Sequence, residues 1–288
     1  MHVAAAHAKV NLHLAVLARE ESGYHQIETV FCALHLADDV EVTTAGRGIQ
    51  LDVAGAELGP PDENLAHRAA VAFFEQTRLP PAARIRLVKR IPAGAGLGGG
   101  SSDAAATLAA LNALHGYPLG APTLREIGFS IGSDVPFFVA GVPLALGWGR
   151  GERLLAIPPP PETPVLLVVP PDPVATRDAY DALDSRRRTR LGAAPSRVLA
   201  LDDLRTFESI AAVAVNDFED VIFERHPELR RIKQLLAAGG AAHALLTGTG
   251  SALFGLFPST ALLDQTSERV RAEFTSANVI QTATCSRL

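Results

Sequence analysis

The first part of the chain alternates apolar and polar side chains over residues 8–16. Lys9, Asn11 and His13 fall on one face, and valine and leucine side chains fall on the other. A period of two residues is typical of a β-strand, because successive side chains point to opposite faces. The pattern therefore predicts a half-buried strand with one polar face.

Helical and strand patterns follow one another through the rest of the chain. Strands are predicted at residues 27–36, 40–44, 84–91, 165–169, 243–246, 252–257 and 279–284, and helices at residues 64–77, 102–114, 123–132, 175–183, 227–238 and 260–274. Asp38 and Asp39 are predicted to separate two of the strands, and Thr123 with Glu126 is expected to form a capping box. Helices and mixed strands in both halves indicate an α+β protein.

The clearest break in composition lies at residues 158–164, which contain five prolines. Proline-rich stretches are typical of the connections between domains. The break predicts two domains, residues 1–157 and residues 158–288. A stiff hairpin tip within one domain is the alternative.

The composition is that of an ordinary globular enzyme: 288 residues, 48% hydrophobic, 20% charged and a net charge of −5. No global basic field argues for a nucleic-acid partner, and the arginine run at 186–190 is expected to be a solvated loop or helix end. No apolar stretch reaches membrane-spanning length, so no membrane contact is expected. Two distant cysteines and no secretory leader predict a cytoplasmic location.

The strongest chemical signal is a glycine-rich loop at residues 92–103, with five glycines and two serines directly before an alanine-rich helix. Glycines let backbone N–H groups approach an anion closely. A helix N-terminus adds unpaired donors and partial positive charge. Ser101 or Ser102 can cap the helix or point a hydroxyl at a phosphate or metal. The loop therefore predicts a phosphate-binding site.

Two common phosphate loops do not fit this stretch. A P-loop ends in Gly-Lys-Ser/Thr, and no lysine stands near the end of this loop. Gly94, Gly96 and Gly99 meet the dinucleotide pattern G-x-G-x-x-G, but the preceding strand carries four charges and no acidic residue follows about twenty residues on. A flexible glycine turn that only caps a helix is the remaining alternative.

Three motifs along the chain resemble those of the GHMP kinases. They are Lys9 and Asn11 on the first strand, Pro-x-Gly-x-Gly-Leu-Gly-x-x-Ser-Ser at residues 92–102, and Leu-Thr-Gly-Thr-Gly-Ser at residues 246–251. The resemblance implies an N-terminal domain like the second domain of ribosomal protein S5 and a ferredoxin-like C-terminal domain. It also implies that ATP and substrate meet in the cleft between the two domains.

Further segments are similar to those of family members that phosphorylate the 2-hydroxyl of a cytidine-diphosphate-linked methylerythritol in the non-mevalonate isoprenoid pathway. These segments are residues 8–12, 23–25, 98–105, 132–138 and 216–219. The resemblance implies ATP and Mg²⁺ as cofactors and a small molecule as substrate. It assigns the contacts with ATP to Asn64, Pro92, Gly94, Gly96, Leu97, Gly98, Gly99, Gly100, Ser101 and Ser102.

The same resemblance implies roles for three polar residues. Asp134 is similar to the family's catalytic aspartate and would accept the proton of the attacking hydroxyl. Lys9 would lie within reach of Asp134 and keep that carboxylate ionised. Asn11 shares the face of Lys9 and would hydrogen-bond the substrate. A helix cap is the alternative for Asp134, and a solvent-facing strand lysine is the alternative for Lys9.

Aromatic residues would recognise the cytosine. The resemblance implies that Tyr24 and His25 stack on the base and hydrogen-bond its edge, with Tyr180 as a second aromatic wall. Thr247 and Gly248 would add further substrate contacts. A turn with an aromatic plug is the alternative for Tyr24 and His25. Two other functions stay open: another kinase of the family, of the homoserine or mevalonate type, and a nucleotide-binding module without catalysis.

Overall fold

A computed structural model describes residues 1–44, 46–189 and 199–288. The described strands are β1 (His2–Arg19), β2 (His25–Thr43), β3 (Gly48–Ala54), β4 (Ala82–Val88), β5 (Leu144–Gly149), β6 (Arg153–Ala156), β7 (Pro164–Val169), β8 (His243–Leu246), β9 (Leu253–Leu256) and β10 (Asn278–Ala283). The described α-helices are α1 (Leu65–Thr77), α2 (Gly99–Leu114), α3 (Ala121–Ile131), α4 (Val135–Ala140), α5 (Thr176–Thr189), α6 (Phe207–Val213), α7 (Glu219–Arg225), α8 (Pro227–Ala238) and α9 (Thr260–Glu273), with short 3₁₀ helices at Pro61–Glu63 and Leu201–Leu204.

The N-terminal sheet is organised around β2. This long strand pairs with β1 along one edge, while its other edge pairs with β5 through its first half and with β4 through its second half. The resulting strand order is β3-β4-β2-β5-β6, with β1 beside β2. Helices α1 and α2 bury alanine, leucine and phenylalanine side chains, and α3 buries isoleucines, against β4 and the second half of β2.

The C-terminal sheet has the strand order β10-β7-β9-β8, and all of its pairs are antiparallel. Numbered from β7, this is the order 4-1-3-2, with helices in the first and last crossovers. That arrangement is a βαββαβ ferredoxin-like unit. The predicted α+β class and the two-part architecture are therefore confirmed.

The change from one sheet to the other falls in the proline-rich segment between β6 and β7. Each sheet is complete on one side of that segment, and we therefore propose the predicted division at residues 157 and 158 as the domain boundary. The two sheets nevertheless share a core, since Leu14 and Ile27 pack with Leu166 and Phe218.

The first strand differs from its prediction. Lys9, Asn11 and His13 are as buried as the apolar residues between them. The reason is tertiary: the backbone N–H of Lys9 donates to the carbonyl of Leu97 in the glycine-rich loop, and the N–H of Leu14 donates to the carbonyl of Val215. Because the loop and the C-terminal half cover the polar face, the half-buried interpretation of β1 was wrong.

The predicted break at Asp38 and Asp39 is also wrong, because β2 runs through both residues. The Asp38 carboxylate is fully buried and accepts the backbone N–H of Ile91 at 2.8 Å. The predicted capping box fails as well. Helix α3 begins at Ala121 behind Gly120, so Thr123 lies inside the first turn.

The arginine run lies at the end of α5. Arg186 pairs with Asp220 and Glu224, and Arg187 pairs with Asp217 at 2.8 Å. The last arginine of the run, residue 190, lies outside the described residues. None of the described helices combines the length and apolar character needed to cross a membrane.

One hydrogen bond between the C-terminal and N-terminal sheets involves a titratable side chain, that of His243. His243 begins β8, and its Nε2 lies 2.9 Å from the carbonyl oxygen of Leu12 in β1. Burial lowers the pKa of His243 to about 4 from an ordinary value of 6.5. Between these two values the unfolded chain binds a proton that the native chain does not, so stability falls as pH falls through this window.

We therefore expect His243→Gln to remove this pH dependence, because glutamine can still donate to Leu12 but does not titrate. Wild type should lose roughly 2–4 kcal/mol of unfolding free energy relative to the variant between pH 6.5 and 4. Urea unfolding at a series of pH values measures the difference. Parallel stability curves for the two proteins would contradict the assignment.

Candidate active site

A cleft of about 280 Å³ opens where the glycine-rich loop, β1, the start of α4 and the C-terminal glycine turn meet. A concave site with a few convergent polar groups is typical of small-molecule binding. The residues from the predicted site that line the cleft are Lys9, Asn11, Gly96, Gly98, Ser101, Asp134, Tyr180 and Gly248. The structure thus gathers the three motifs of the sequence around one cavity.

The glycine-rich loop follows a path that only glycine permits at two positions. Gly96 has φ of 81° and Gly98 has φ of 73°, a region that other residues rarely adopt. A Cβ on Gly96 would lie 2.3 Å from the carbonyl oxygen of Thr247. A Cβ on Gly98 would lie 2.9 Å from Cγ of Lys9. The loop is therefore packed directly against β1 and the C-terminal glycine turn.

The first turn of α2 carries unpaired backbone donors. The helix begins at Gly99, three residues earlier than predicted, so the glycines are part of its first turn. The N–H groups of Gly99, Gly100 and Ser101 have no hydrogen-bond partner among the described residues. Unpaired N–H groups at a helix N-terminus attract phosphate oxygens. This geometry suits the predicted phosphate loop.

The two serines of the loop face different surroundings. Ser101 lines the cleft, whereas Ser102 is buried. The sequence did not show which of the two serines can face a ligand. In the structure Ser101 is the serine that lines the cavity.

The remaining predicted ATP contacts sit around the loop. Leu97 is buried, and Pro92 and Gly94 stand at the loop's more exposed entry. Asn64 is the N-cap of α1, where its Oδ1 accepts the backbone N–H of Ala66 at 2.9 Å. The Asn64 amide oxygen is therefore used in a helix cap, and its contact with ATP stays a prediction.

Lys9 and Asp134 form an ion pair in the cleft, with Nζ 3.2 Å from Oδ2. The Lys9 side chain is 4% exposed and that of Asp134 is 27% exposed. The Lys9 ammonium also donates to Oδ1 of Asn11 at 2.7 Å and to the carbonyl of Gly96 at 3.0 Å. Asp134 stands at the N-cap position of α4, yet its side chain makes no capping hydrogen bond. Its carboxylate is therefore paired with Lys9 and remains open to the cavity.

Asn11 joins the two halves of the chain. Its Nδ2 donates to Oγ1 of Thr29 at 2.8 Å, and its Oδ1 accepts the backbone N–H of Gly248 at 3.0 Å. Thr247 is fully buried, and its hydroxyl accepts the N–H of Asn11. Thr247 thus contacts the protein interior, while Asn11 and Gly248 reach the cleft wall.

Of the three aromatic residues predicted to contact the substrate, Tyr180 lines the cleft, whereas Tyr24 and His25 do not. The His25 ring stacks on Tyr180, with centroids 4.6 Å apart, and its Nε2 lies 2.8 Å from Oδ1 of Asp184. Burial, reinforced by the charge of Asp134, raises the pKa of Tyr180 to about 12. Tyr24 is 60% exposed. The structure brings Tyr180 into the cleft and places His25 directly behind it.

A buried ion triad near the loop was not predicted. Lys89 pairs with Asp38 and, at 2.5 Å, with Asp103, and all three side chains are buried. Burial raises the pKa of Asp103 to about 6, although the Lys89 ammonium opposes that shift. The triad ties the first turns of α2 to the N-terminal sheet. The chain contains three lysines, and this scarcity was the one feature of the sequence that drew attention to Lys89.

Comparison with known proteins defines the class. Residues 64–142 match the GHMP kinases N terminal domain, and residues 199–276 match the GHMP kinases C terminal domain. The chain belongs to the GHMP kinases, as the motifs predicted.

Two relatives with at least 40% sequence identity carry the same protein name. Proteins called 4-diphosphocytidyl-2-C-methyl-D-erythritol kinase are 42% identical in Solibacter usitatus (strain Ellin6076), over 87% of this chain and 79% of the relative, and 40% identical in Geobacter sulfurreducens (strain ATCC 51573 / DSM 12127 / PCA), over 96% of each chain. A crystal structure of 4-(cytidine 5'-diphospho)-2C-methyl-D-erythritol kinase superposes with a TM-score of 0.81 at 34% identity, covering 98% of this chain and 99% of that one. A homoserine kinase from Cytophaga hutchinsonii ATCC 33406 shares the fold at 16% identity, with a TM-score of 0.69 over 97% of this chain and 94% of that one.

The contact between Gly98 and Lys9 generates a testable expectation. A methyl group in Gly98→Ala would press on the Lys9 stem and on the ring of Phe138. Because Lys9 is fixed at its far end by Asp134, the collision should displace the ion pair. We expect kcat/KM for phosphoryl transfer from ATP to fall by at least about tenfold, while the variant remains folded. Steady-state kinetics and circular dichroism measure the two effects.

Gly141→Ala is the matched control. Gly141 also has a positive φ, of 63°, but a Cβ there would meet no atom within 4 Å. The control therefore carries the backbone strain of about 1–2 kcal/mol without the collision. Equal losses of activity in the two variants would show that strain, and not contact with Lys9, explains the effect.

Proposed function

We propose that the chain transfers the γ-phosphoryl group of ATP to the 2-hydroxyl of 4-diphosphocytidyl-2-C-methyl-D-erythritol. The observation that carries the proposal is the Lys9–Asp134 pair, which opens into the same cavity as the glycine-rich loop. The relatives that share about 40% of the sequence bear the name of this kinase. The substrate is a small molecule with a diphosphate between a cytidine and the methylerythritol.

The proposed transfer depends on positioning and charge neutralisation more than on covalent chemistry. The N–H groups of Gly99, Gly100 and Ser101 hold the phosphates of ATP. The substrate oxygen attacks the γ-phosphorus as Asp134 accepts its proton, and the bond from that phosphorus to the β–γ bridging oxygen breaks to release ADP. Lys9 pairs with the Asp134 carboxylate at 3.2 Å and holds it in place, and the burial of Lys9 strengthens their attraction.

Magnesium fits this site as a partly protein-bound ion. Kinases hold Mg²⁺ through one or two protein oxygens together with phosphate oxygens. The described residues contain no group of three or more His, Cys, Asp or Glu side chains suited to hold a metal alone. The Ser101 hydroxyl and the Asp134 carboxylate line the cleft and would supply the protein oxygens. A bound Mg²⁺ neutralises phosphate charge.

The aromatic end of the site favours this substrate over those of homoserine- or mevalonate-type kinases. Tyr180 lines the cleft, His25 stacks on it, and Tyr24 stands exposed on the β1–β2 turn directly before His25. A cytosine offers a flat face and a polar edge to such a group. Homoserine and mevalonate have no aromatic ring to stack.

A substrate panel tests the proposal. ADP release is measured with the cytidyl substrate, free 2-C-methyl-D-erythritol 4-phosphate, homoserine, mevalonate and galactose. We expect kcat/KM for the cytidyl substrate to exceed every other value by at least about a hundredfold, because the others lose base stacking and hydrogen bonding. Comparable rates on the two methylerythritol compounds would remove cytosine recognition. A preference for homoserine or mevalonate would replace the proposed function.

A double-mutant cycle tests the roles of the ion pair. Asp134→Asn keeps the size of the side chain but cannot accept the proton, so kcat should fall about 10²–10⁴-fold with little change in either ligand's affinity. Lys9→Met keeps the buried aliphatic stem without the charge. If the two residues act as one unit, the double variant is little worse than the worse single variant.

Two results would count against this assignment. Additive losses in the cycle would mean that Lys9 and Asp134 act independently. Near-normal turnover of Asp134→Asn would leave the phosphate loop as the main source of catalysis. Calorimetry with a non-hydrolysable ATP analogue shows that each variant is folded and binds nucleotide.

A further inference from the structure

We infer that Asn216 is a positioning residue for the Lys9–Asp134 pair, on which it acts through the C-terminal glycine turn at residues 246–250. The resemblance to the family covers residues 216–219 but implies no role for them. The inference rests on the proposed function only for the reaction that the ion pair serves, because the position of the ammonium can be measured without that reaction.

Asn216 lies where the C-terminal half of the chain passes alongside β1. The N–H of Leu14 donates to the carbonyl of Val215 at 2.7 Å, and the N–H of Asp217 donates to the carbonyl of Leu14 at 3.0 Å. Between these two bonds Asn216 forms a parallel bridge with Leu14 and is 5% exposed. A buried amide must find its hydrogen-bond partners within the protein. The neighbours of this side chain therefore show what it holds.

The Asn216 amide is bonded through both its nitrogen and its oxygen. Nδ2 donates to the carbonyls of Leu246 at 2.8 Å and Gly248 at 2.9 Å, which lie at the start of the glycine turn. Oδ1 accepts the N–H of Phe218 at 3.0 Å. An aspartate of the same size would instead face both carbonyls with a carboxylate oxygen, which has no proton to donate. Asn216 therefore holds the turn by its donors.

The turn reaches the ammonium through Oδ1 of Asn11. This oxygen accepts the N–H of Gly248 at 3.0 Å and the Lys9 ammonium at 2.7 Å. The same ammonium pairs with Asp134 at 3.2 Å. If the turn moves, Gly248 no longer fixes the Asn11 amide, and the ammonium loses one of its three acceptors. Asn216 therefore sets the position of the ion pair although it does not itself line the cleft.

The phosphate-binding donors stand apart from this series of contacts. Among the described residues, the N–H groups of Gly99, Gly100 and Ser101 make no hydrogen bond to the glycine turn or to Asn216. Displacement of a reacting group by about 1 Å can lower a rate by about 10²-fold. Loss of the Asn216 donors should therefore impair phosphoryl transfer more than nucleotide binding.

Lysine NMR tests the position of the ammonium directly, because the chain contains three lysines. With isotope-labelled lysine ε-carbons, Asn216→Asp should displace the signal of Lys9, which is identified by its absence in Lys9→Met, and leave that of Lys89 in place. In the same variant kcat for the cytidyl substrate should fall about tenfold to a hundredfold, while the affinity for a non-hydrolysable ATP analogue changes by less than about threefold.

Asn112→Asp is the matched control. Asn112 is also 5% exposed, and its amide also holds a backbone segment, because Nδ2 donates to the carbonyl of Leu119 and Oδ1 accepts the N–H of Leu119, both at 3.0 Å. It does not line the cleft. This variant makes the same change of charge in a similar setting, so it should lower stability in urea, leave the Lys9 signal in place and keep kcat within about twofold of wild type.

Asn216→Ala removes the donors without adding a charge. It should displace the Lys9 signal in the same way but by less, and it carries the test if Asn216→Asp does not fold. The inference is overturned if the Lys9 signal stays in place, if kcat is unchanged while that signal moves, or if Asn112→Asp reproduces both effects. A loss confined to the ATP analogue would also overturn it, because Asn216 would then act on the phosphate loop.

Failure of the proposed function gives a different result. A wild type that does not turn over the cytidyl substrate would contradict that function, whereas a displaced Lys9 signal in Asn216→Asp would still support the inference.

Discussion

The site depends on an ammonium group enclosed in the protein. An isolated buried cation is costly, so Lys9 is tolerable only because three acceptors surround it. Those acceptors come from β1 itself, from the glycine-rich loop and from the start of α4, as Asn11, Gly96 and Asp134. Because the buried Lys9 ammonium requires these acceptors, segments that are distant in sequence lie together around it. The same enclosure explains why Gly98 has no room for a side chain beside the Lys9 stem.

A second buried cation, Lys89, lies beside the glycine-rich loop. Lys89 lies between two carboxylates, and one oxygen of Asp103 has no hydrogen-bond partner although it is buried. Burial raises the pKa of Asp103, and the nearby Asp38 carboxylate adds to that shift, because two carboxylates share one ammonium. Because Asp103 lies in the second turn of α2 and Asp38 lies on β2, the triad joins the helix that follows the glycine-rich loop to the most central strand of the N-terminal sheet. Removing one partner would leave an uncompensated buried charge next to the loop.

Local pattern predicted much of this architecture, and the failures share one cause. The family, the phosphate loop and the proximity of Lys9 to Asp134 followed from motifs that occupy short stretches of sequence. The burial of Asn11 and His13, the continuity of β2 through Asp38 and the role of Thr247 as an internal contact depend on segments far away in the chain. Periodicity reports one strand or helix at a time, and it cannot show what covers a polar face.

The two cations that line the cleft among the described residues, Lys9 and Arg150, differ in how deeply they are buried. Lys9 is 4% exposed and fully engaged by protein acceptors, so its field is strong and its position is fixed. Such a cation suits the reacting end, where the geometry must already be in place when charge moves. Arg150 is 31% exposed, so water screens it more. Burial depth therefore decides which of the two charges is fixed by the protein and which stays open to solvent.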